Sequence, residues 1–256
     1  MTEFQSHYRE FDPLRSREVE EDIVDMCWLS RQGKYMRLLS TNSRSIKFWK
    51  IFEKNEKKVV KSAGKDLAIP KLEAVDAGYG AELKIELPNK HLSPIKQISR
   101  SFNEQFLLSS DESQIFMWDL EEAKRPYLVC DLTSNAKSER ESISCASMHP
   151  NSDSLIVVGM NKGSLKISDM RLSSSFESNS TCLKMGSSSK NYLIDLISNI
   201  SSASFTQNGK YIVSRDYLTV KIWDVANTKK PVNTVILHEG LKSKLSEMVE
   251  NESIFD

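Results

Sequence analysis

The chain has 256 residues, with 35 Lys plus Arg against 35 Asp plus Glu. That is long enough to bury a real core, and it lacks the charge excess that draws a protein to nucleic acid or an anionic membrane. Apolar runs reach only a few residues, as at 155–158, far short of a bilayer span, and the opening Met-Thr-Glu-Phe-Gln-Ser-His lacks the basic and apolar regions of a secretory signal.

In chain order, residues 10–22 are highly charged and contain Asp12-Pro13, which predicts a helix start with Asp as cap and Pro in the first turn. Residues 23–29 (IVDMCWL) read as a strand. Residues 38–49 (LLSTNSRSIKFW) then open a pattern that recurs without a gap at 107–118 (LLSSDESQIFMW), 157–168 (VVGMNKGSLKIS) and 212–223 (IVSRDYLTVKIW). Two apolar residues and a Ser or Gly lead into a polar turn. Apolar residues then alternate with others up to a Trp or Ser. This predicts a β-hairpin in each window. Asp119, Asp169 and Asp224 follow three of the windows and read as structural hydrogen-bonding residues. Further strands are predicted upstream, at 95–102, 143–148 and 200–205, so each unit supplies at least three antiparallel strands.

Between these units, residues 50–94 form a long insertion, lysine-rich early, whose part 81–87 (AELKIEL) alternates like an exposed strand or hairpin. Residues 173–189 are serine-rich and read as a loop between repeats. After the last window, Leu241, Leu245, Met248 and Val249 have helical spacing.

The window ends, Trp49, Trp118, Ser168 and Trp223, lie 69, 50 and 55 residues apart. This exceeds the ~40–45 residues of a compact WD blade, and loops absorb the difference. Hairpins ending in Trp-Asp point to an all-β fold, a partial WD-repeat β-propeller of about four blades, with residues 1–256 as one domain. Cys27, Cys130, Cys145 and Cys182 are scattered and read as reduced thiols of a cytoplasmic or nuclear protein. His7, His91, His149 and His238 are also dispersed. No nucleotide-binding glycine motif, catalytic triad order or metal-ligand spacing is present, so no enzyme activity, cofactor or metal is expected.

Three stretches carry a more specific resemblance. The opening TEFQSHYREFDPLRSREVEEDI, the run MHPNSDSLIVVGMNKGSLKISDMR at 148–171, and SRDYLTVKIWDV followed by HEGLKSKLSEMVENESIFD at 238–256 resemble, in that order, the B-type (55 kDa class) regulatory subunits of protein phosphatase 2A. The match falls on repeats two to five of the family's seven. The resemblance implies a seven-bladed propeller that docks on a helical-repeat scaffold (A) subunit, next to the catalytic (C) subunit, and selects phosphoprotein substrates, with no chemistry of its own.

It further implies that Asp111 and Glu112 stand in the family's substrate groove. Lys162 and the Arg215-Asp216-Tyr217 turn occupy the same loop position in their repeats. A hairpin arm within 50–94 would meet the scaffold, with Lys84, Ile85 and Glu86 as its contact candidates. Two departures stand out. The family's histidine-x-tyrosine-histidine-isoleucine-asparagine stretch is here His91-Leu92-Ser93-Pro94-Ile95-Lys96, and a groove-lining apolar residue is missing from 138–142 (SERES). The alternative reading is a generic WD-repeat adaptor, or a degenerate paralogue that no longer binds the phosphatase. With blades missing, the chain is expected to expose apolar blade faces and to be marginally stable or oligomeric alone.

Overall fold

The computed structural model describes residues 3–8, 10–12, 14, 17–19, 22–61, 70–122, 125–133, 141–171, 176, 180–184, 197–238 and 240–241. The chain divides into two compact units, Met1–Leu87 and Pro88–Asp256.

In the first unit, β1 (Glu10–Asp12) pairs antiparallel with β2 (Arg17–Val19), Glu10 opposite Val19. This corrects the helix expected to start at Asp12-Pro13. Asp12 closes a strand instead of capping a helix, and Pro13 itself lies outside the described residues. The first four-stranded sheet follows: β3 (Asp25–Gln32), β4 (Tyr35–Thr41), β5 (Ile46–Lys61) and β6 (Pro70–Leu87), in that spatial order. Its buried Leu38, Trp49 and Ile51 pack with Met36 and Ala81.

The second unit holds three more antiparallel sheets. Blade two is β7 (Gln97–Arg100), β8 (Phe106–Ser110), β9 (Gln114–Asp119) and β10 (Tyr127–Asp131). Blade three is β11 (Ile143–Met148), β12 (Leu155–Met160), β13 (Ser164–Asp169) and β14 (Thr181–Lys184), and blade four is β15 (Ser202–Phe205), β16 (Tyr211–Arg215), β17 (Thr219–Asp224) and β18 (Asn233–Ile236). Each is a meander with its strands in sequence order. β14 lies inside 173–189 and pairs with β13, so the serine-rich stretch is not simply a loop: Leu183, opposite Leu165, is buried and anchors a strand that completes the blade. Of the helical spacing after the last window only Leu241 falls among the described residues.

Each twelve-residue window spans the second and third strands of a sheet, but the ungapped alignment fails in the third. Leu38 pairs with Trp49, Leu107 with Trp118 and Ile212 with Trp223, whereas Ser168 pairs with Ile156, not Val157. Blade three therefore has one extra residue in its hairpin loop. The loop takes it at Gly163, whose φ of +75° places it in the left-handed region. Ile156 thus stands where Leu107 stands in blade two, and Val158 where Ser109 stands.

Two apolar clusters join neighbouring sheets of the second unit. Leu108, Ile115 and Cys130 of blade two pack with Ala146, Met148, Ile156 and Val158 of blade three. Val157, Leu165 and Leu183 of blade three pack with Ala203, Ile212 and Trp223 of blade four. On the rim bearing the first hairpin turns, the His149 ring stands edge-on to Phe205, centroids 4.8 Å apart. Its Nδ1 accepts from the Asn151 N–H at 3.1 Å, so Nε2 carries the proton and donates to the Gly209 carbonyl at 3.1 Å. That bond ties blade three to blade four.

Candidate functional site

The turn between the second and third strands begins, in blades one, two and four, with an Asn or Asp whose side chain points back into the hairpin. Asn42 Oδ1 accepts from the Arg44 and Ser45 N–H groups. Asp111 Oδ1 accepts from the N–H groups of Ser113 and Gln114, both at 2.6 Å. Asp216 Oδ1 accepts from Leu218 at 2.9 Å and Thr219 at 2.5 Å. A short side-chain acceptor at the head of a turn satisfies backbone donors that the hairpin leaves unpaired.

Behind each of these turns a Trp indole N–H donates to a serine hydroxyl nine residues earlier: Trp49 to Ser40 at 3.0 Å, Trp118 to Ser109 at 2.8 Å, Trp223 to Ser214 at 2.9 Å. Blade three has lost both partners together, with Val158 and Ser168 in their places.

Blade two extends the chain of bonds furthest. His91 Nε2 lies 2.7 Å from Ser109 Oγ, and Nδ1 lies 3.0 Å from Asp111 Oδ2. The side chains of His91 and Asp111 are 1% and 0% exposed. Burial pushes the Asp111 carboxyl up, but the hydrogen bond from His91, the Ser113 and Gln114 N–H groups and the histidine's charge outweigh it, holding it below the usual carboxylate range. In blade one Ser6 fills the histidine's place, 2.6 Å from Ser40 Oγ and 3.1 Å from the Trp49 indole nitrogen.

These networks relocate two of the sequence-derived groove candidates. Asp111 and Asp216 are 0% and 6% exposed, their carboxylates spent on the turns that carry them. Asp216 also holds Thr219 Oγ1 at 2.6 Å and Lys221 Nζ at 3.5 Å. They build the rim and offer it no surface. The neighbours they position do face outward. Glu112 is half exposed with an ion pair to Lys96 at 3.3 Å, Arg215 is exposed, Tyr217 is 57% exposed and Lys162 is half-buried.

The rim is knit to the crossovers between sheets. Glu112 O accepts from Ile143 N at 2.8 Å, Ser113 O from Leu132 N at 2.9 Å, and Ile197 O from Tyr217 N at 3.3 Å. Lys166 Nζ reaches Glu141 at 3.4 Å on the same side. Of the stretch 138–142, only Glu141 and Ser142 are among the described residues.

In the first unit, β5 pairs with β4 only as far as Phe52, while its pairing with β6 runs on to Lys61 opposite Pro70. Beyond Phe52 the hairpin is a two-stranded ribbon about 30 Å long at ~3.3 Å per residue. Lys84, Ile85 and Glu86 are not on this ribbon. Ile85 pairs with Phe48 and Glu86 with Lys47 inside the sheet, and Glu86 meets Lys47 at 3.7 Å. The projecting part is built by residues 53–61 and 70–79. The alternation at 81–87 marks an outer blade strand, which has the same period as an arm.

No family model matches the chain. The B regulatory subunit of protein phosphatase PP2A from Candida tropicalis is 36% identical over 271 residues, covering 100% of this chain and 53% of that protein. The Schizosaccharomyces pombe protein of the same name is 36% identical over 273 residues, covering 100% and 59%. This chain is similar along its whole length to the B-type regulatory subunits of protein phosphatase 2A. The beta isoform of the 55 kDa B regulatory subunit of serine/threonine-protein phosphatase 2A from Carassius auratus agrees, at 34% identity over 99% of this chain and 60% of its own. The chain spans about half to three-fifths of the length of these relatives.

Two solved structures show the fold. Chaetomium thermophilum Raptor superposes with a TM-score of 0.56 over 84% of this chain and 16% of its own. The β-propeller domain of Myceliophteria thermophila Cps50 (Swd1) gives 0.54 over 84% and 57%. Both are 14% identical to this chain, a level at which the likeness speaks for architecture alone. The four meander sheets are blades of a WD-type β-propeller.

Proposed function

We propose that this chain acts as a non-catalytic regulatory subunit of protein phosphatase 2A, docking on its scaffold and catalytic subunits and directing which phosphoproteins reach the active site. The observation that carries this is the alignment of the whole chain with proteins named as B regulatory subunits of that phosphatase. The rim supports it. Glu112, Lys162, Arg215 and Tyr217 stand at successive blade turns, and buried Asp111 and Asp216 hold two of those turns rigid, as a surface that recognises extended substrate segments requires. The ribbon of residues 53–61 and 70–79, with Lys84, Ile85 and Glu86 at its base, is the element suited to reach a scaffold.

The test is dephosphorylation of a panel of phosphopeptides by the scaffold–catalytic core, with and without the chain. The proposal expects rates that change from peptide to peptide when the chain is added, and a pattern that shifts with Glu112→Lys or Tyr217→Ala. Identical profiles with and without a chain shown to be bound would refute substrate direction.

A further inference from the structure

At the turn of blade two the chain supplies its own counter-ion to an exposed carboxylate. Glu112 follows the buried Asp111, and its side chain is 56% exposed. Lys96 Nζ lies 3.3 Å from Glu112 Oε1 and also donates to the Ile143 carbonyl at 3.2 Å. The Ile143 N–H donates to the Glu112 carbonyl at 2.8 Å, and the Lys96 N–H to the Ser110 carbonyl at 2.8 Å. Lys96 is therefore held at its backbone and at its tip, across the joint between blades two and three. A lysine fixed in this way has already lost much of the rotamer freedom whose cost weakens exposed ion pairs.

The same closure recurs along this rim of the second unit. Lys166 Nζ reaches Glu141 Oε2 at 3.4 Å and Lys221 Nζ reaches Asp216 Oδ2 at 3.5 Å, while Asp111 is taken by His91 and by its own turn. Among these four carboxylates Glu112 is the most exposed. An exposed carboxylate on a rigid turn is the group that a Lys or Arg side chain of a bound segment seeks. Here such a side chain finds the position beside Glu112 filled by Lys96, whose ammonium also repels it.

We propose that Lys96 is a specificity-determining residue of the rim. It occupies Glu112 in place of a basic side chain of the bound segment, cancels the pull of that carboxylate on Lys- and Arg-rich segments, and leaves the wild-type rim to neutral ones. The inference rests on the reading of this rim as the surface that faces substrate, and adds a substrate class to it, set by like-charge exclusion. The device is separable from the fold. Gln97 Oε1 and Ser99 Oγ accept from the Ala146 and Met148 N–H groups, each at 3.0 Å, so blades two and three stay joined when Lys96 is replaced.

The test is fluorescence anisotropy of the full chain with two labelled peptides of one central sequence, one flanked by Lys and Arg and the other by Gln, at low ionic strength. The wild type is expected to bind the two alike. Lys96→Gln should bind the basic peptide roughly twofold to fivefold more tightly than the wild type does, the range of one exposed ion pair, and the Gln-flanked peptide unchanged. Lys96→Arg keeps the charge and should match the wild type. Adding Glu112→Gln to Lys96→Gln should abolish the gain, and raising the salt should shrink it. Lys96→Asn replaces Lys96→Gln if far-UV circular dichroism shows the latter to be unfolded. Basic-peptide binding that is unchanged or undetectable in Lys96→Gln would overturn the proposal. So would a gain that survives Glu112→Gln, or a wild type that already prefers the basic peptide. The phosphatase is absent from this measurement, so a chain that shows the expected pattern yet joins no phosphatase complex would refute the phosphatase reading alone.

Discussion

Replacing Asp111 with Ala removes at once the partner of His91 Nδ1 and the acceptor for two backbone N–H groups, in a position with no exposure to water. Leaving a buried donor without its acceptor costs about 1–3 kcal/mol, so losing the shared acceptor of these groups costs about 3–5 kcal/mol in sum. For a domain of this size that corresponds to a fall in melting temperature of roughly 6–20 °C. The control is Glu112→Ala, one residue along and half exposed, whose ion pair with Lys96 is screened by solvent and worth at most ~1 kcal/mol. Thermal melts and urea titrations followed by far-UV circular dichroism measure both. Equal and small effects from the two substitutions would refute the assignment of Asp111 as a structural residue of the rim.

Other predictions follow from the same geometry. The depressed Asp111 carboxyl stabilises the fold at all pH values above the unfolded carboxyl value of ~3.9. That contribution is lost as pH falls through the lower folded value, so the stability gap between wild type and Asp111→Asn should hold from pH 7 to about 4 and shrink below it in urea titrations. Gly209→Ala should destabilise by about 2–4 kcal/mol, since Gly209 sits at φ +70° and an added Cβ would overlap His149 Nε2. Combining it with His149→Ala should recover the steric part and leave the backbone strain. Burial pushes the Cys145 thiol up to about 11, while Cys182 is exposed. A thiol-reactive dye should therefore label Cys182 in the native state and Cys145 only on unfolding, as read by peptide mapping.

The blade pattern was legible because Trp, Ser and the turn acceptor recur at fixed offsets: in the folded hairpin the Trp indole donates to the Ser hydroxyl, and the acceptor takes the N–H groups of its own turn. The frame of the third repeat was not. Residues 155–160 (LIVVGM) are apolar without a break, so both registers satisfy the burial pattern, and only the strand pairing separates them. The inward turn of Asp111 and Asp216 had a visible signal, an Asn or Asp at the fifth place of all four windows, which marks a turn acceptor more than a ligand contact. His91 gave none. It lies 27 residues before Trp118, and only the fold brings it to Ser109. The ribbon was hidden for a different reason: its lysine-rich strand lacks the apolar alternation of a half-buried strand, while the blade strand at 81–87 has it and so drew the scaffold-contact assignment.

The most direct test of the phosphatase reading is recovery of the tagged chain with purified PP2A scaffold and catalytic subunits, measured as stoichiometry by native mass spectrometry. A full-length B-type regulatory subunit serves as positive control, and a variant with residues 53–79 replaced by a short turn serves as the internal comparison. The account predicts a one-to-one-to-one complex with the intact chain and its loss with the shortened ribbon. No complex from a chain shown to be folded would contradict the account and leave a WD-repeat adaptor that does not bind the phosphatase.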